Sequence, residues 1–251
     1  MNKLALLTAT VLVATALTGC ATAKFDADKN HAVKRLAIIA IEVQQQQPKD
    51  ALGLKKLQEF NQRIGDSPEL QGMSKNILND LSAQLQKKTG WSVVSFDKLT
   101  SNPAYSAKVK EVMTGARLTS MPGGENYEIV ALQGTLDAFA FRKMTQAERA
   151  KLAHALGADA YGFITIYEQI DQGWSIGNLT GDARFSFQAR SNLEVYDLQG
   201  EEPIWRIQNV DGEQTAKSDS LDKSMPVRGR LATLGKAAAS SSISKLVESY
   251  K

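Results

Sequence analysis

The chain has 251 residues, 43% of them hydrophobic and 23% charged, with a formal net charge of +3. That balance excludes a disordered chain and a multi-span membrane protein, and the length suffices for a sizeable core in one domain. Lys and Arg alternate with Asp and Glu rather than gathering on one face, so no nucleic-acid partner is expected.

Lys3 opens the chain with a positive charge, and Leu4–Leu17 is an apolar stretch of 14 residues broken only by threonines. Crossing about 30 Å of hydrocarbon takes roughly 20 residues, so the stretch fits the apolar centre of a signal peptide. It ends in Leu17-Thr18-Gly19-Cys20, which resembles the lipobox of bacterial lipoprotein precursors. The resemblance implies that residues 1–19 are a signal peptide and that Leu17, Thr18 and Gly19 are read by the signal peptidase. Cys20 then becomes the first mature residue, with diacylglycerol on its sulfur and a fatty acyl group such as palmitate on its freed amine. Small side chains at 18 and 19 let the backbone enter the peptidase site. Each buried CH₂ is worth about 0.8 kcal/mol, so one chain anchors marginally and two anchor firmly. Ala21 follows where Asp would signal inner-membrane retention, which implies the outer membrane with the domain facing the periplasm. Cys20 is the only cysteine, so the mature domain has no disulfide and no thiol nucleophile. The covalent lipid on Cys20 is the only non-protein group expected.

Residues 20–33 are small and polar and read as a lipidated tether, with one periplasmic domain over 34–251. Lys34–Val43 (KRLAIIAIEV) predicts a buried strand ended by Gln44–Gln47 and Pro48. A helix over Ala51–Ile64 follows, then a second with Ser67 as N-cap and Pro68 at its first position. The second carries Leu70, Met73, Ile77, Leu81 and Leu85 on one stripe and stops at Gly90. Trp91–Phe96 predicts a short strand. A variable middle over about 97–144 holds a helix at Ala104–Met113, a loop at Met121–Gly124 and a strand within Tyr127–Phe141. Thr145 and Glu148 make a capping-box pattern for a helix that ends at Gly157. Tyr161–Ile170 predicts a strand. Phe185, Phe187, Ala189, Leu193 and Val195 alternate with polar residues in a half-buried antiparallel strand over Arg184–Tyr196. A turn at Asp197–Gly200 returns the chain into Pro203–Val210, and an amphipathic helix over about 230–249 closes it. The order β-α-β, then α-β-β-β-α, predicts an α+β fold: a mixed α/β sandwich with a sheet of about five strands and helices packed on it.

Three pieces in order carry a second resemblance. Leu156-Gly157-Ala158-Asp159-Ala160 leads from helix to strand, a strand with an Asp-x-x-Gly turn ends in Ile204-Trp205, and an amphipathic helix closes the chain. This is similar to a group of envelope proteins: the curli-export lipoprotein, the lipoprotein activators of penicillin-binding proteins and the N-terminal domain of TolB. The resemblance implies a compact sheet with helices, and assembly or activation of an envelope protein partner.

Catalytic constellations are sparse. The mature chain has two histidines, His31 in the tether and His154 among Ala and Leu, so no zinc site is expected. A Ser-His-Asp hydrolase would need His154 beside a serine on a sharp turn, but no G-x-S-x-G motif occurs, and Ser240–Ser242 reads as small residues permitting close helix packing. Glu201 and Glu202 read as solvent-exposed in a hairpin turn, and Glu125 and Glu128 flank the Gly123-Gly124 loop. Trp174, Ile176 and Leu179 form a candidate partner-binding patch, and Trp205 reads as core. The expected function is a non-catalytic binding or assembly factor at the outer membrane. The alternatives are a homo-oligomeric secretion-channel subunit whose wall uses 161–196, and an envelope hydrolase using His154.

Overall fold

The computed structural model describes residues 23–46, 73–112, 117–120, 126–130, 134–170, 186–216 and 227–251. Ala23–Phe25 (β1), Ala27–Ala32 (α1) and Arg35–Gln46 (β2) open the chain. Met73–Thr89 (α2), Ser92–Val93 (β3), Phe96–Ser101 (α3) and Pro103–Val112 (α4) follow, then Arg117–Ser120 (β4), Asn126–Val130 (β5) and Ala138–Lys143 (α5). Gln146–Ala155 (α6), Ala160–Ile170 (β6), Phe187–Asp197 (β7), Trp205–Asp211 (β8) and Val227–Glu248 (α7) complete it.

The strands form one mixed sheet in the order β1-β8-β7-β6-β2-β5-β4, with β3 paired to the start of β2. β2 and β6 are parallel, and β6, β7, β8 and β1 are successively antiparallel. The fold is therefore α+β, and the described residues supply eight strands where about five were expected. The uncounted strands are short or polar, and a strand of two to five residues leaves little period-2 signal.

Leu36–Ile41 and Val43 are buried without alternation because β2 is covered on both faces. On one face, α7 lies across β7 and packs beside α2. It buries Leu234, Ala238, Ile243 and Leu246, while α2 buries Ile77, Leu81 and Leu85. Gly212 lets the chain approach this helix: an added Cβ would lie 2.7 Å from Ser242 N. On the other face Phe141 of α5 meets Tyr161, Phe163 and Tyr196 with ring centroids 4.6–6.2 Å apart. β7 alternates as expected from Phe187 to Asn192, but Leu193, Glu194, Val195 and Tyr196 are all buried, because α5 covers the polar side there through Phe141.

The second edge of β2 is closed in relays. β3 pairs with Arg35 and Leu36, and β5 pairs with Val43–Gln46. Between them lies Ile39, where β2 slips register against β6 on its other edge and whose carbonyl accepts from Tyr105 Oη at 2.8 Å. Tyr105 Oη in turn accepts from Leu136 N at 3.1 Å, so no long bare edge is left there.

Several expectations change. Residues 23–33, expected within the tether, belong to the folded domain, because Ala23–Phe25 pairs with Trp205–Ile207 and Asn30 of α1 is buried. The Gln-rich run does not end β2, which continues to Gln46 against β5. Of Trp91–Phe96 only Ser92–Val93 is strand, since Ser95 accepts from Lys98 N and starts α3. The run Tyr127–Phe141 does hold a strand, β5, but its apolar end is helical because Asp137 caps Ala140 N at 2.6 Å. The capping box at Thr145 and Glu148 is present, and Gly157 takes the left-handed conformation that ends α6, with φ 70°. The predicted helix 51–64 and its successor's start at Ser67 and Pro68 lie outside the described residues.

Candidate functional site

The expected lipidation motif lies shortly before β1 in the sequence. Leu17, Thr18, Gly19 and Cys20 lie outside the described residues, and Ala23 is already in the sheet opposite Ile207. β1 is fixed by side chains as well as by its ladder. Phe25 meets Tyr250 edge-on at 4.9 Å, and Tyr250 meets Trp91 and Trp205 at 5.3 and 5.2 Å. This aromatic cluster ties the first strand to the C-terminus. Lys24 pairs with Glu202, and Lys29 pairs with Asp197 Oδ2 at 2.8 Å. Asn30 Nδ2 donates to the Ile204 carbonyl at 2.8 Å.

Trp174, Ile176 and Leu179 lie outside the described residues, as do Gly123, Gly124 and Glu125. The strand ends that bracket both segments are described. Ile170 pairs with Phe187, and Ser120 pairs with Asn126. Gln46 of β2 lies opposite Tyr127, and Gln45 lies opposite Glu168. The register therefore puts both strand pairs' open ends at one end of the sheet, with β2 between them. Glu128 sits opposite Gln45 on β5.

The strongest buried chemistry is one the sequence reading passed over. Glu42 lies inside the aliphatic run of β2 and is 3% exposed. Its carboxylate accepts from Gln44 Nε2 and, at 3.0 Å, from Ala138 N. Burial raises its pKa above the usual 4.5, against the lowering effect of those two hydrogen bonds. Across the same face, Glu194 accepts from Tyr196 Oη and lies 3.3 Å from Arg206 Nε. Burial and the neighbouring carboxylate push the Tyr196 phenol above its ordinary range. Both carboxylates are engaged by donors, so each is a satisfied polar group within the sheet face.

The sign for Glu42 follows from its raised folded pKa. Its protonated form favours folding, so this contribution is complete below about pH 4.5 and is lost as pH rises through the folded value. The stability of the natural chain relative to Glu42→Gln is expected to be greatest near pH 4 and to fall toward pH 7, read from urea midpoints at each pH. A pH-independent difference would show that Glu42 keeps an ordinary pKa.

His31 and His154 are exposed, and no serine hydroxyl bonds either ring among the described residues. Ser242 is buried, donates to the Ala239 carbonyl at 3.0 Å and shares a 2.5 Å hydrogen bond with Ser191. Its role is helix-to-sheet packing. Glu201 and Glu202 are exposed and Trp205 is core, as expected. No His/Cys/Asp/Glu group able to hold a metal ion occurs among the described residues. A cleft of about 400 Å³ lies between α4 and the α5–α6 pair. Of its two lining lysines, Lys108 is bound by Glu111 and Glu148, each at 3.1 Å, and Lys143 stands over the Phe139 ring at 4.1 Å. Glu148 is held near pKa 2 by hydrogen bonds from Thr145 and Lys108.

On β7, the polar positions Gln188, Arg190 and Asn192 alternate with buried ones, so this strand carries no outward apolar row. No helix among the described residues is long and apolar enough to cross a membrane.

The two motif aspartates act on backbone. Asp159 accepts from Lys34 N at 3.1 Å and Arg35 N at 3.0 Å, which fixes where β2 starts beside β6. Asp197 accepts from Gln199 N at 3.0 Å and from Gly200 N, which shapes the turn before β8. Their chemistry is that of folding devices, and comparison with protein families, characterised proteins and solved structures finds no match for this chain.

Proposed function

We propose that this chain is an outer-membrane lipoprotein, anchored through acylated Cys20 and facing the periplasm, that acts as a non-catalytic binding or assembly factor for an envelope protein. The observation that carries the reading is the Leu17-Thr18-Gly19-Cys20 motif placed directly before a folded domain. The hydrogen-bonded state of Glu42 and Glu194 and the exposed, unpaired position of His154 among the described residues support a binding role over a catalytic one. Holding the domain at a membrane raises its effective concentration for partners there.

Cross-linking in intact envelopes tests it. One envelope protein is expected to be recovered with the lipidated chain and to be lost when the domain is released as a soluble form. Recovery of abundant porins alone, or a hydrolytic activity abolished by His154→Ala, would overturn the reading.

A further inference from the structure

We infer that the β1 edge of the sheet is the domain's membrane-proximal flank, held against the lipid surface by a tether too short to let it leave. The inference rests on the proposed acylation of Cys20. Only Ala21 and Thr22 separate that residue from Ala23, which is paired in the sheet. Three Cα steps reach at most about 11 Å. A tether running to residue 33 would let the domain stand several times farther off.

The direction is also set. β1 runs antiparallel to β8, with Phe25 opposite Trp205 and Ala23 opposite Ile207. The N-terminal end of β1 therefore lies toward the Val210–Asp211 end of β8. Residues 23–25 resist being pulled out to lengthen the tether, because the ladder to β8, the Phe25–Tyr250 contact and the Lys24–Glu202 pair hold them. The opposite side of the domain is remote. β2 lies four strand intervals from β1, about 19 Å. Helix α4 is fixed to the outer edge of β2 through Tyr105 Oη and the Ile39 carbonyl. The α4 side is thus the flank farther across the sheet from the anchor, while the β1 and β8 flank lies against the lipid headgroups.

The test uses the full-length lipidated chain in phospholipid vesicles that carry a headgroup quencher. The Cys20 sulfur is consumed as a thioether, so an introduced cysteine is the only thiol to label. A fluorophore at Lys24→Cys is expected to be quenched several-fold more than one at Lys110→Cys. A ten-residue Gly-Ser spacer between Ala21 and Thr22 is expected to erase that difference without releasing the protein. Equal or reversed quenching in a chain that stays with the vesicles would overturn the inference and leave the anchoring reading standing. A chain that washes off the vesicles would overturn both.

Discussion

Trp205→Ala is expected to cost about 3–5 kcal/mol of stability, the range for removing a buried aromatic side chain from a packed core. Trp205 is 1% exposed. Its ring meets Trp91 at 6.1 Å and Tyr250 at 5.2 Å, both edge-on. The cavity cannot close easily, because those neighbours and Phe25, which pairs with Trp205 in the sheet, belong to three other pieces of chain: the residue before β3, the C-terminus and β1. Aromatic pairs add about 0.5–1.5 kcal/mol beyond area burial, so the loss belongs at the upper end of that range. Urea unfolding measures it. A loss below about 1 kcal/mol would mean that the cluster is not a packed core.

Cys20→Ala is expected to abolish lipid attachment altogether. No other side chain in the protein can supply the sulfur, since Cys20 is the only cysteine. Metabolic labelling with palmitate should mark the natural chain and leave the variant unlabelled. The variant should also retain residues 1–19, because the peptidase that reads Leu17-Thr18-Gly19 acts on the modified cysteine. Palmitate incorporation into the variant would place the lipid elsewhere and remove the basis of the tethered reading.

The central fold is legible where one strong signal acts alone. The unbroken run Leu36–Ile41 announces a strand covered on both faces, and the alternation of Phe187, Ala189, Leu193 and Val195 announces one with a buried and a polar side. Thr145 with Glu148, and Gly157 after them, mark both ends of α6 because capping is a local matter of backbone donors and left-handed geometry. What escapes the sequence is set at a distance. Ala23–Phe25 is strand because Trp205–Ile207 offers it an edge and Tyr250 offers Phe25 a partner. Three small or mixed residues carry no such instruction themselves. Gln44–Gln46 likewise reads as a stop and is strand because β5 pairs with it. Phe141 reads as the end of a strand and is helical because Asp137, four residues earlier, caps Ala140.

The candidate site divides in the same way. The lipobox-like run Leu17-Thr18-Gly19-Cys20 is a linear pattern, so it is visible in sequence. Glu42 is hidden within aliphatic residues, and its significance depends on Ala138 N, which only the folded chain brings to it. Asp159 and Asp197 stand out as motif residues, yet their partners are the backbone amides of β2 and of the turn before β8. Motifs that recur because they build turns and strand starts specify a fold more than an activity.

Intact-mass analysis of the chain extracted from membranes with detergent tests the account most directly. The account predicts a polypeptide that starts at Cys20, carries diacylglycerol and a further acyl group on that residue, and has no other modification. An unmodified chain that retains residues 1–19, or one cleaved at another position without lipid, would contradict it.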